Sequence, residues 1–241
     1  MGGLILTIKD GPIGWIVFEH QERRNAVTVE MWRAIPDAVR KMSDDSAVRV
    51  VVLRGAGEAA FVSGADISEF EKSRTGDSLA EYEAVSERAF AAVASCEKPV
   101  LAMIHGFCIG GGLAIALTAD VRYAADDATF AIPAARLGVG YPVSGVRSLL
   151  DVVGPASAKE IFFTARRFGA QEALTRGLVS EVKPKACLLY TSYGGEPAEP
   201  REVDVDDVHA VYRSIVLLTL CLSHAVLPVD GASRSNRELI A

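Results

Sequence analysis

Apolar residues along the first 130 positions switch between two spacings. Ile5 to Lys9 and Trp15 to Glu19 alternate as strands do, on either side of the turn Asp10-Gly11-Pro12. Trp32, Ile35, Val39 and Met42 then recur at the three-to-four-residue spacing that marks one face of a helix. Val48 to Leu53 is dense in valine and predicts a strand buried on both faces. The cycle repeats: Leu79, Tyr82, Val85, Phe90 and Val93 predict a helix, and Pro99 to Ile104 a strand. Further short strands are expected near Val121 to Ala124 and Thr129 to Ile132, and helical signals run from Ser144 to Gly177, a glycine placed as a stop after Arg176. Repeated strand, strand, helix units predict an α/β domain of stacked sheets with helices outside, spanning residues 1–184.

The remaining segment, 185–241, has another texture. Pro184 to Pro200 is rich in Gly, Pro and Glu and reads as a linker. Beyond the acidic run Glu202 to Asp207, apolar residues at 208, 211, 212, 215, 218 and 222 fit one helix.

Composition narrows the class. A chain of 241 residues that is half hydrophobic can bury a substantial core. Its net charge of −6, with no basic cluster interleaved with aromatics, speaks against a nucleic-acid partner. The longest apolar stretch, Ile215 to Val229, is interrupted by Ser223, His224 and Pro228 and is too short for a membrane span. Cys96, Cys108, Cys187 and Cys221 are widely spaced without a C-x-x-C pair, so neither a disulfide framework nor a metal site is indicated. Met1 to Asp10 lacks the basic and apolar regions of a signal peptide, and a cytoplasmic location is expected.

Chemistry enters with glycine. In HGFCIGGGLAIAL, three glycines open an apolar helix, where glycine weakens the helix. One reading is close approach of a ligand to the main chain: the first N–H groups of a helix lack internal partners and carry partial positive charge, so an oxyanion against Gly110 to Gly112 is stabilised. The other is tight packing of helix on strand. A second glycine turn, FVSGADISEF, also follows a strand, with Asp66 placed to cap a helix beginning at Ile67. Two such turns make a pair of backbone donors that could converge on one oxygen.

FVSGADISEF, then KPVLAMIHGFCIGGGLAIALTADVRYAADDATFAIPAARLG, then GPASAKEIFFTARRFGAQEALTRGLVSEV resemble, in order and spacing, the crotonase (enoyl-CoA hydratase/isomerase) superfamily over residues 4–184. The resemblance implies a crotonase-like spiral of ββα repeats. It also implies an acyl-CoA enzyme whose two peptide N–H groups, those of Ser63 and Gly111 by position, hold the thioester oxygen as it becomes an enolate. Coenzyme A arrives as part of the substrate, and no separate cofactor is implied. Arg24 and Ala26, in the early loop ERRNAVT, are expected along the CoA moiety, with Ala65, Asp66 and Ile67 beside the adenine. Phe107, Gly110, Pro133 and Ala134 are expected to line the substrate.

The chain departs from the family where hydratases carry two glutamates. Ala114 and Ala134 stand at those places, and a methyl group exchanges no proton. Tyr141, in LGVGYPVSG, resembles the tyrosine of methylmalonyl-CoA decarboxylases in the superfamily and is a candidate acid, although Ala65 stands where those enzymes have a histidine. A malonyl-type decarboxylase and a CoA-ester-binding protein with weak turnover are therefore alternatives. His105 is expected as a hydrogen-bonded structural residue. Family members finish with helices that knit a trimer or hexamer. Here the likeness stops near Pro184, and Cys187 to Ser192 resembles the translation of a library-preparation adapter, so the remainder is expected to be an artefact or a frameshift.

Overall fold

A computed structural model describes residues 2–66 and 77–190. By its contacts the chain divides into a unit Met1–Lys185 and a unit Ala186–Ala241. The expected helix from 208 to 227 lies outside the described residues.

The chain begins with a hairpin, β1 (Leu4–Asp10) and β2 (Ile13–Glu19), closed through Gly11 at φ 53°. Thr28 caps helix α1 (Val29–Asp44) by accepting from Met31 N at 3.2 Å, a bond of the kind that contributes about 1 kcal/mol. The predicted face of α1, Trp32, Ile35, Val39 and Met42, is buried. Strand β3 (Val50–Gly55) is buried at every position, as its run of valines requires. After β4 (Ala60–Val62) comes α2 (Asp77–Ala94), with Val85 and Val93 inside. Strands β5 (Val100–Ile104) and β6 (Phe107–Ile109) lead into α3 (Gly111–Thr118). Strands β7 (Val121–Ala125) and β8 (Thr129–Ala131) lead into the short α4 (Ala134–Leu137).

Successive repeats send one strand to each of two sheets. The larger has the order β1-β2-β3-β5-β7-β10, parallel except for the opening hairpin, with β10 at Glu181–Lys183. The smaller takes β4, β6 and β8 in parallel and closes with the antiparallel β9 (Phe168–Gly169). This alternation matters for the site. Because β4 and β6 are parallel neighbours, with Val62 opposite Cys108, the turns that follow them emerge side by side at the same sheet end.

The helical stretch expected from Ser144 to Gly177 is divided. Helix α5 (Val143–Thr164) kinks at Gly154, φ 73°, ahead of Pro155, and ends on Ala165 in the left-handed region. The chain then adds β9 before α6 (Ala170–Thr175), because the backbone of Phe168 pairs with Phe130 and their rings stack 5.7 Å apart. A last helix, α7, spans Lys185–Tyr190. Among the described residues, no helix is long and apolar enough to cross a membrane and no group of side chains is arranged to hold a metal ion.

Candidate active site

Each glycine of the GGG turn has its own reason. Gly110 sits at φ 54°, a region that side chains rarely enter, and donates its N–H to Ala131 O at 2.9 Å. At Gly112 a Cβ would stand 2.1 Å from the carbonyl oxygen of Val62, so only glycine lets α3 lie against β4. Gly111 lies between them as the first residue of α3, where its N–H has no intrahelical acceptor. A Cβ on Gly111 would meet Trp32 Cζ2 at 3.3 Å and the amide nitrogen of Ala65 at 3.8 Å. The packing reading of the triplet therefore holds at Gly112, and the N–H of Gly111 stays open for the other.

Ser63, expected as the second donor, does not fill that role. Its N–H is donated to Arg24 O at 3.2 Å and its hydroxyl to Arg23 O at 3.1 Å. The available amide belongs to Ala65, two residues on. Val27 N–H donates to Gly64 O and Asp66 N–H to Val27 O, forming a parallel bridge around Ala65. In such a bridge the bracketed residue turns its own N–H away from the partner strand, and the nitrogen of Ala65 lies 3.8 Å from a Cβ position on Gly111. Gly64 at φ 116° makes that reversal accessible. Among the described residues, the amides of Ala65 and Gly111 are thus a neighbouring pair without a hydrogen-bond acceptor.

Around this pair the structure gathers several expected residues. Pro133 precedes α4, and its Cδ is 3.8 Å from where a Cβ on Gly110 would be; Ala134 follows it, buried. Trp32 lies under Gly111, and Phe90 meets it edge to face at 5.2 Å, a contact that contributes about 1 kcal/mol beyond its burial. The indole Nε1 of Trp32 is buried without a hydrogen-bond partner among the described residues.

The early loop is rigid by construction. Arg24 and Asn25 both have positive φ, and the buried Asn25 amide donates to Ala56 O at 2.9 Å and Ala60 O at 2.7 Å. Ala26 is engaged on both sides, its N–H with Arg23 O and its carbonyl with His20 Nδ1 at 2.9 Å. The Arg24 guanidinium stands 4.9 Å from the centre of the Phe107 ring, and Arg167, which sequence reasoning missed, stands 5.5 Å from the same ring. Two cations thus gather on one aromatic ring near the turn. The signal in the sequence was the pair Arg166-Arg167, but only folding brings the second of them to Phe107.

Other expectations separate from this centre. Tyr141 packs edge to face on Phe162 at 5.0 Å and against Gly145, and burial pushes its phenol up to about 12, with Cys108 and Tyr82 adding to the rise. It is therefore protonated at neutral pH and a weak acid. Asp66 is buried, its N–H on Val27 O, while Ile67 and the helix that Asp66 was expected to cap lie outside the described residues. His105 differs from expectation: fully buried, neither ring nitrogen has a hydrogen-bond partner among the described residues. Burial, and then the charges of Arg54 and Lys185, lower its pKa to about 4. Burial pushes the Cys108 thiol up, which leaves it inert.

A sequence model of the enoyl-CoA hydratase/isomerase family matches residues 9–193. The short-chain-enoyl-CoA hydratase of Clostridium acetobutylicum is 33% identical over 188 residues, which make up 78% of this chain and 72% of that one. The mitochondrial Delta(3,5)-Delta(2,4)-dienoyl-CoA isomerase of Rattus norvegicus is 37% identical over 174 residues, 68% of this chain and 53% of that one. Among solved structures, an enoyl-CoA hydratase/carnithine racemase from Magnetospirillum magneticum superposes with a TM-score of 0.78 at 28% identity, over 98% of this chain and 86% of that one. With the alternating sheets and the glycine turn of α3 on the same stretch of sequence, the chain belongs to the enoyl-CoA hydratase/isomerase family.

Proposed function

We propose that this protein binds an acyl-CoA thioester and stabilises its enolate between the N–H groups of Ala65 and Gly111. The observation that carries the reading is the nearness of two amides from separate ββα repeats that have no acceptor among the described residues, with the amide nitrogen of Ala65 3.8 Å from a Cβ position on Gly111. When a proton leaves the carbon beside a thioester, charge collects on the carbonyl oxygen. Donors fixed before the reaction need no reorganisation, and each contributes about 3–4 kcal/mol to the transition state. The position of Gly111 at the start of α3 adds the partial positive charge of the helix end. Arg24 and Arg167 on Phe107 supply a place for the phosphates of the CoA moiety.

Alanines at 114 and 134 support a reaction that does not draw on two carboxylates at those positions. A proton shift along an unsaturated acyl chain fits this better than addition of water, which needs one group to activate the water and another to deliver a proton.

The test is a titration with acetoacetyl-CoA, whose enolate has its own ultraviolet absorption. Two donors on the oxygen favour the enolate, so the band should grow at neutral pH as the ligand binds. Absence of binding would overturn the reading. A parallel incubation with crotonyl-CoA, a 3-enoyl-CoA and methylmalonyl-CoA assigns the reaction: isomerisation of the 3-enoyl ester is the expected turnover, and CO2 release would replace the proton shift by decarboxylation with Tyr141 as acid.

A further inference from the structure

Beside Ala114 opens a cavity of about 40 Å³, room for a water or a few atoms of an acyl chain. Glu87 and Phe90 of α2, Ala114 of α3, and Ser144 and Gly145 of α5 are among the residues that line it. Ala114 lies three residues beyond Gly111, and residues at that spacing share a side of a helix, so the cavity lies along α3 one turn beyond the Gly111 amide. A second path gives the same placement. Glu87 and Phe90 are also three apart on α2, Phe90 packs on Trp32, and Trp32 lies against Gly111.

Glu87 is the carboxylate of this cavity. Ser144 Oγ donates to its Oε1 at 2.7 Å, and among the described residues no cation pairs with it. A carboxylate on a helix surface is ordinarily solvated or ion-paired. This one is half-buried and borders an apolar cleft, held by a hydroxyl from the first turn of α5, next to a residue whose methyl group leaves the space open.

We propose that Glu87 is the proton-transfer group of this site and that Ser144 positions it. The inference rests on the enolate reading above and adds the group that makes the enolate. The Glu87 carboxylate takes the proton from C2 of a 3-enoyl thioester. The C–H electron pair moves into the C1–C2 bond, and the carbonyl π pair moves onto the oxygen held by Ala65 and Gly111. The carboxylic acid so formed returns its proton to C4 as the electrons fall back, C3=C4 becomes C2=C3, and the 2-enoyl thioester leaves. One proton is removed and one returned, with no oxidant and no water consumed. A single carboxylate suffices because it acts as base and then as acid.

The experiment is deuterium exchange at C2 of butyryl-CoA in heavy water, followed by mass spectrometry on the full chain, with butyryl-CoA affinity measured in parallel by calorimetry. Wild type should exchange. Glu87→Gln, which keeps the shape and the acceptor for Ser144, should bind with affinity within about twofold and exchange at least about 100-fold more slowly. Glu87→Asp keeps the charge but withdraws it by one methylene and should exchange at least about tenfold more slowly, giving a second measure should the Gln variant fold poorly. Ser144→Ala should lower the rate about tenfold without changing affinity, and Ser144→Thr should restore it. Exchange at the wild-type rate in Glu87→Gln or Glu87→Asp overturns the assignment of Glu87 and leaves the amide cradle intact. A wild type that binds butyryl-CoA without exchanging it does the same. A wild type that binds no acyl-CoA overturns the cradle and this inference together.

Discussion

The two sides of the proposed site are made of different material. The amide side is backbone: Gly111 N–H at the start of α3 and Ala65 N–H after β4 are aimed by strand pairing, by a parallel bridge and by glycines at positive φ. The opposite side is made of side chains, Ala114, Ala134, Glu87 and Ser144, carried by four helices. The difference teaches which parts of such a site a sequence can change. Replacing a side chain rarely moves a backbone donor that the sheets hold in place, whereas one substitution removes a carboxylate. In this chain the glycine turns are intact and positions 114 and 134 are alanine.

Mutations should sharpen that contrast. The largest effect is expected from Gly111→Pro. Proline is tolerated at the first position of a helix and removes the N–H, at the cost of a small shift of the Trp32 ring 3.3 Å from the new Cβ, so turnover should fall about 10²–10³-fold while circular dichroism stays native. Retained turnover in the folded variant would show that the amide side is not the oxyanion binder.

Acid should act next, on the scaffold below the amides. His105 follows β5, and its carbonyl accepts from Phe61 N at 2.7 Å, so it anchors the strand that leads to Ala65. Its folded pKa of about 4 lies below the ordinary 6.5, so the unfolded chain binds the proton first. The stability this neutral histidine confers is whole above pH 6.5 and is lost as the pH falls from 6.5 towards 4, by on the order of 3 kcal/mol. Arg54 and Lys185 disfavour the added charge, while Asp127 opposes them. Thermal melting across this window should show the loss, and His105→Asn should flatten it; equal slopes in the two proteins would assign the acid sensitivity elsewhere.

The smallest effect is expected from Ser63→Ala. It deletes one hydroxyl bond to Arg23 O and leaves every backbone donor, so stability should change by at most about 1 kcal/mol and turnover by less than about twofold. A loss comparable with that of Gly111→Pro would place the hydroxyl of Ser63 in the chemistry and undo the division between the two sides.

Much of the fold was legible because period and burial agree. The faces of α1 and α2 and the buried β3 followed from spacing alone. The short strands of the smaller sheet were harder to see. β4, β6 and β9 are two or three residues long, too brief for alternation to register, and β9 was absorbed into a helical reading because its pairing with β8 is a long-range contact. The same limit governed the site. The glycine turns were visible as motifs, but which amide was available depended on the engagement of Ser63 N–H with Arg24, some forty residues away in the chain. Glu87 and Arg167 carried no motif, since a charged residue on a helix reads as solvated surface until a cavity or a ring is found beside it.

By itself, the sequence determined the order of the ββα repeats, the glycines that a side chain could not replace, and the absence of carboxylates at 114 and 134. These are local matters of spacing, backbone freedom and chemical composition. Only the tertiary structure decided that the amide left open beside Gly111 is that of Ala65 and not that of Ser63, that Arg24 and Arg167 share Phe107, and that Glu87 meets Ser144 beside Ala114. Hydrogen-bond engagement and proximity are properties of pairs of distant residues, and they come into being when the two sheets close on each other.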